Sequence, residues 1–275
     1  MPELHRTGEA GHSLEGRANG KHSKTSAICD YCKITPQQLA AELENFSVVE
    51  NLARHAKAKM NIVVVYVYPI HGGHHNDVAR RFADTYTANL PATPHRLCIF
   101  ANGGSPTPEM RETFKRVPCE FVANPDSERD GRDICAYRRA AREIKPCDLM
   151  VFFGGSSHIR GPRWLERIVE SFQQHGPAIY GAMGSHVRQT HIRTTGWWCH
   201  PELLNSYPYS VSSDQESRYK FEHGDGSITN WALKRGLKAL MVTWDGCYEP
   251  AQWDTIPNGF QRGDQSALIV GDRMV

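Results

Sequence analysis

Long apolar runs are missing from this 275-residue chain. None approaches the roughly 18 residues that a membrane helix needs, so no membrane span is expected. Residues 1–24, MPELHRTGEAGHSLEGRANGKHSK, lack the apolar core of a signal peptide. The expected location is therefore the cytoplasm, or the host cytoplasm if the protein is viral. Excess charge of one sign is also missing. With 32 basic and 30 acidic residues the net charge is +2, which argues against tight non-specific nucleic-acid binding but leaves a local basic face open. Eight cysteines are too few for a disulfide scaffold of this length, and a reducing compartment fits them better. Internal repeats are absent as well.

What is present divides in two. Residues 1–59 form an extension, polar up to residue 27 and then carrying the motif CDYC. Cys29 and Cys32 make half of a structural zinc site, and His12 and His22 are the nearest further ligands. The alternative is an ordinary turn before a helix. Thr35 and Pro36 open that helix as N-cap and first residue.

Residues 60–275 read as one α/β domain. NIVVVYVYP (61–69) is a buried strand stopped by Pro69, and DVARRFADTYTANL (77–90) is a helix. HRLCIFANGG (95–104), EFVANP (120–125) and DLMVFFGG (148–155) continue the strands. DICAYRRAAREI (133–144), PRWLERIVESFQQHG (162–176) and GSITNWALKRG (226–236) continue the helices. PAIYGAMGS (177–185) and LKALMVTWDG (237–246) are late strands. Such alternation predicts a mostly parallel sheet with helices on both faces. The stretch 186–225 breaks the pattern. It is rich in His, Trp, Tyr and Ser and reads as a binding surface.

From Asn61 to about Tyr248 the order of these pieces resembles a GT-A type glycosyltransferase. The resemblance implies a GT-A-like α/β/α sandwich with a mostly parallel central sheet, preceded by the small helical, Cys-containing extension. It implies a nucleotide-sugar donor, with UDP as the default nucleotide. The family's Asp-x-Asp metal site would fall at Gly154, Gly155 and Ser156, and none of these offers a carboxylate. A catalytic metal is therefore expected to be absent. Backbone N–H groups of the Gly-Gly-Ser-Ser turn, the helix end near Pro162, and His158, Arg160 and Arg163 are the substitutes for holding a diphosphate. An unconventional metal, bound by His158 with Asp245 or by the HGGHH histidines (71–75), is the alternative.

By the same resemblance Tyr68, Pro69 and Asn102 would meet the nucleoside. Asp133 would contact ribose or sugar, or serve as an N-terminal helix charge; Arg138 would reach phosphate, or stand exposed on its helix; and Asp245 would face the donor. Asp225 is the first choice for general base, with Glu222 and His223 behind it. Its other reading is the N-cap of the following helix. On the acceptor side stand His191, Arg193, Trp197 and Trp198. Because alternate residues of a strand face opposite ways, one tryptophan is expected to line a cleft or a partner surface. The acceptor would be a hydroxyl, on a modified pyrimidine of DNA as in phage-type glucosylation, or on a protein or glycan. A non-catalytic module that binds a nucleotide-sugar or nucleic acid is the second reading.

Overall fold

The computed structural model describes residues 60–70, 75–124, 132–212 and 214–273. Cys29, Cys32, His12, His22, the helix opened by Thr35, and most of HGGHH lie outside the described residues.

The first strand, β1 (Ile62–Pro69), shows why the sheet is central. Val63, Val65 and Val67 enter one apolar cluster, while Ile62, Val64, Tyr66 and Tyr68 enter another on the opposite face. A strand apolar at every position can only sit between two layers. Helix α1 (His75–Ala88) leads to β2 (Arg96–Asn102), and α2 (Pro108–Thr113) leads to β3 (Glu120–Asn124). Thr107 caps α2, accepting from the Met110 N–H at 3.1 Å. α3 (Arg132–Glu143) then crosses the other face to β4 (Leu149–Phe153). β5 (His158–Ile159) and α4 (Trp164–His175) follow.

The remaining elements are β6 (Ala178–Gly181), β7 (Gly184–Ser185), β8 (His191–Ile192), β9 (Gly196–Cys199) and α5 (Pro201–Asn205). Then come α6 (Gln215–His223), α7 (Ile228–Leu233), β10 (Lys238–Val242), β11 (Cys247–Tyr248) and β12 (Val270–Gly271). The eight-stranded sheet has the order β11-β10-β6-β9-β4-β1-β2-β3. β9 runs antiparallel to both its neighbours and β11 antiparallel to β10; the other neighbouring pairs are parallel. The mostly parallel sheet with helices on two faces is as expected. Among the described residues, no helix is long and apolar enough to cross a membrane.

β9 corrects the reading of 186–225 as surface. GWWC is inserted between β4 and β6, with Trp198 paired to Val151 and Tyr180. Trp197 stacks on Phe152 in one core, and Trp198 stacks on Tyr180 in the other. Both tryptophans are fully buried. The alternation argument was sound, but it assumed that one sheet face was open. Here helices cover both, so neither ring can stack on an acceptor.

The chain walks outward from β1 to β3, then returns to the other side of β1 as β4. The two directions part between β1 and β4. At the carboxyl ends of such a pair the crossover helices diverge, leaving a crevice where open α/β sheets receive ligands.

Candidate active site

β1 and β4 pair as far as Tyr66 and Phe153, so Val67, Tyr68 and Pro69 run on beside the turn at Gly154–Ser157. The turn lies close against them. A Cβ on Gly155 would stand 3.0 Å from the Pro69 ring, and Tyr66 Oη donates to the Gly155 carbonyl at 2.7 Å. Gly154 is tighter still. A Cβ there would lie 2.5 Å from Asp133 Oδ2 and 3.3 Å from the Tyr137 hydroxyl. The first turn of α3 thus delivers a carboxylate into the space that a side chain at 154 would need.

This explains both glycines, and it tests the Asp-x-Asp expectation. A two-carboxylate metal clamp does not fit a turn whose own residues are Gly, Gly and Ser; the acid demonstrably against it is Asp133. The Gly154 N–H is spent on the Thr195 carbonyl at 3.0 Å, and that of Ser157 on Gly154. Among the described residues, the N–H groups of Gly155 and Ser156 make no backbone hydrogen bond. They can donate to an anionic oxygen.

Other expected phosphate partners are elsewhere. β5 separates the turn from α4, whose first turn faces residues 89–93. There Trp164 Nε1 donates to the Asn89 carbonyl, and Glu166 accepts from the N–H groups of Ala92 and Thr93. Arg163 is exposed and paired with Glu170. His158 is buried, with Nε2 2.8 Å from the Arg81 guanidinium. Burial first, then Arg81 and Arg160, push its pKa down to about 4, so it is neutral at pH 7 and supplies no charge.

Arg138 is corrected too. It donates to the Tyr209 carbonyl at 2.8 Å and lies over the Tyr207 ring, securing the 207–209 segment. Asn102 is buried and its carbonyl accepts from Asn124 at 2.6 Å, so its carboxamide bridges two strand ends. Asp245 stands beyond β10, three strand spacings or about 14 Å across the sheet from β4. It lines a separate open cleft of about 350 Å³ with Arg167, Glu170, His175 and Trp244.

On the other side of the turn, Tyr137 Oη donates to the Thr194 carbonyl, and the Thr194 N–H donates to Glu222 Oε1 at 3.2 Å. Arg193 pairs with buried Asp272 at 2.8 Å, and Thr195 donates to the same oxygen. Asp225 is exposed and accepts from Gln189 Nε2 at 2.8 Å. The cap of α7 is Ser227, accepting from the Asn230 N–H, so Asp225 is not the N-cap. His191, Glu222 and His223 come together, their ligating atoms within 4.8 Å of one another. Sequence reasoning set His191 on the acceptor side and Glu222 and His223 behind Asp225 as general base, and missed the cluster.

No protein-family model matches the chain, and no curated protein matches it. Several solved structures are similar. GalNAc-T7 with UDP, GalNAc and Mn2+ gives a TM-score of 0.46 at 11% identity, over 70% of this chain and 42% of that one. Glucosyl-3-phosphoglycerate synthase from Mycobacterium tuberculosis gives 0.40 at 15% identity, over 65% of this chain and 71% of that one. Staphylococcus aureus TarS gives 0.41 at 9% identity, over 56% of this chain and 31% of that one.

Proposed function

We propose that this chain is a glycosyltransferase that moves a sugar from a nucleotide-sugar, with UDP as the nucleotide, to a hydroxyl acceptor. The observation that carries the reading is the switch point between β1 and β4, where Gly154 and Gly155 bring the main chain against Asp133 and Pro69. A nucleoside would sit beside Pro69; the expected contact from Tyr68 is corrected, since its ring is buried in the core and its hydroxyl donates to Asn76 at 2.5 Å. Asp133, a carboxylate, accepts hydrogen bonds from ribose or sugar hydroxyls. The unspent N–H groups of Gly155 and Ser156 meet phosphate oxygen.

In the transfer, the acceptor oxygen attacks the anomeric carbon and the carbon–oxygen bond to phosphate breaks. The nucleoside diphosphate leaves with the electron pair, and the acceptor proton passes to a base. Asp225, exposed and oriented by Gln189, is the residue proposed for that base. The acceptor is assigned only as a hydroxyl. The DNA reading leaned partly on Trp197 and Trp198, and both are core.

Calorimetric titration with UDP and UDP-sugars, followed by turnover assays on hydroxylated DNA, protein and saccharide, tests the proposal. Donor binding with transfer, and Asp225→Asn keeping binding while losing transfer, supports it. Donor binding with hydrolysis no faster than background across all acceptors would leave a binding module instead.

A further inference from the structure

We propose that His191, Glu222 and His223 bind a divalent transition-metal ion, zinc foremost, tying β8 to the end of α6. The site does not depend on the glycosyl-transfer reading.

The argument begins with His191, which is 1% exposed. Its Nδ1 lies 2.8 Å from the Gln189 carbonyl oxygen. A carbonyl only accepts, so Nδ1 carries the hydrogen and Nε2 carries the lone pair. That Nε2 is buried and has no hydrogen-bond partner. A ring nitrogen oriented by a main-chain carbonyl, with its opposite lone pair unsatisfied, is how proteins present histidine to a metal.

The neighbours complete the donor set. The His223 ring stands edge-on to His191 with centroids 4.1 Å apart, and its Nδ1 is also buried without a partner. Glu222 is fixed through Oε1 by the Thr194 N–H, while Oε2 lies 3.7 Å from His223 Nε2. Two imidazoles and one carboxylate, leaving a fourth position open, make a familiar zinc set. Tetrahedral bonds of ~2.0–2.2 Å need ligating atoms about 3.4 Å apart. The present spread of 4.8 Å closes with a shift of about 1.4 Å at most, available to the partly exposed Glu222 and His223.

A metal takes the deprotonated ring nitrogen, which the Nδ1–H of His191 leaves available at Nε2. Two arginines oppose a cation here. Arg193 is paired with Asp272, and Arg188 lies over the Tyr219 ring with its guanidinium donating to the Tyr219 hydroxyl. Glu222 supplies negative charge inside the cluster. The ligands come from positions 191, 222 and 223, a spacing that no short sequence motif contains.

The test uses full-length protein carrying Cys29→Ser and Cys32→Ser, which removes the CDYC thiolates. Zinc is titrated against a chromophoric chelator, and cobalt is added in place of zinc to read its absorption spectrum. The expected result is a tight zinc site and an intense four-coordinate cobalt band lacking thiolate charge transfer. Glu222→Gln, which keeps the shape, and His223→Ala should each weaken zinc by at least about 100-fold and abolish the band, since losing even an outer-shell partner costs ~10–100-fold. Circular dichroism reports whether each variant is folded. Equal zinc affinity in the Glu222→Gln variant and its parent, or a weak six-coordinate spectrum in the parent, would overturn the assignment.

Discussion

Adding one methyl group at Gly154 tests the Gly154–Ser157 turn, the elbow between β4 and β5, most sharply. In Gly154→Ala the new Cβ would start 2.5 Å from Asp133 Oδ2 and 3.3 Å from the Tyr137 hydroxyl. Ordinary contact begins near 3.4 Å, so the carboxylate must retreat by about 0.9 Å. Overpacking of this kind costs about 1–3 kcal/mol. For a domain of this size that lowers the thermal midpoint by about 2–12 °C. Asp133→Ala alone loses an acidic group in the first turn of α3, about 0.3–1 kcal/mol. It also removes the clashing atom. In the double variant most of the Gly154→Ala cost should vanish, giving a coupling of about 1–2 kcal/mol. Chemical denaturation of the four proteins measures it. Costs that add to within ~0.5 kcal/mol would refute the reasoning, because the carboxylate would not then occupy that space.

Truncating Trp197 or Trp198 to alanine should cost about 3–5 kcal/mol each in denaturation, the penalty of a large core cavity. A change in acceptor preference without loss of stability would contradict their burial. For His158 the folded pKa is about 4 against 6.5 unfolded, so between those values the unfolded chain binds more protons. Stability from this residue is full above pH 6.5 and falls as pH drops toward 4. His158→Asn should flatten the midpoint-against-pH curve over that window, and an unchanged slope would refute it. Asp133→Asn should weaken a nucleotide-sugar by about 10- to 150-fold, the worth of a charged hydrogen bond of ~1.5–3 kcal/mol, read by calorimetry. Donor affinity should survive EDTA, since the elbow itself lacks the two-acid clamp. Loss on chelation with recovery on manganese would contradict that.

The strands from 61 to 155 were legible because each is a short, mostly apolar run closed by Pro, Asn or Gly. The helices between them carried apolar stripes, as Val78, Phe82 and Tyr86 do in α1. The elbow could be found from its glycines, but its reason could not, since Asp133 reaches it from 21 residues away in sequence. Other misreadings share one cause. GWWC is only four residues long, and in a segment full of His and Tyr it looked like surface until strands closed on both edges. Arg138 and Asn102 are polar residues near a strand end, the usual mark of a ligand contact. Their partners Tyr209 and Asn124 are set by tertiary packing, which periodicity does not encode. The same holds for the His191, Glu222 and His223 cluster, assembled from a two-residue strand and the end of a polar helix.

A crystal structure with a bound UDP-sugar tests the central claim most directly. The nucleotide should lie between the carboxyl ends of β1 and β4, with a hydroxyl on Asp133 and a phosphate oxygen against the Gly155 and Ser156 N–H groups. A nucleotide seated instead in the cleft of Trp244 and Asp245, or away from the strand ends, would contradict the account.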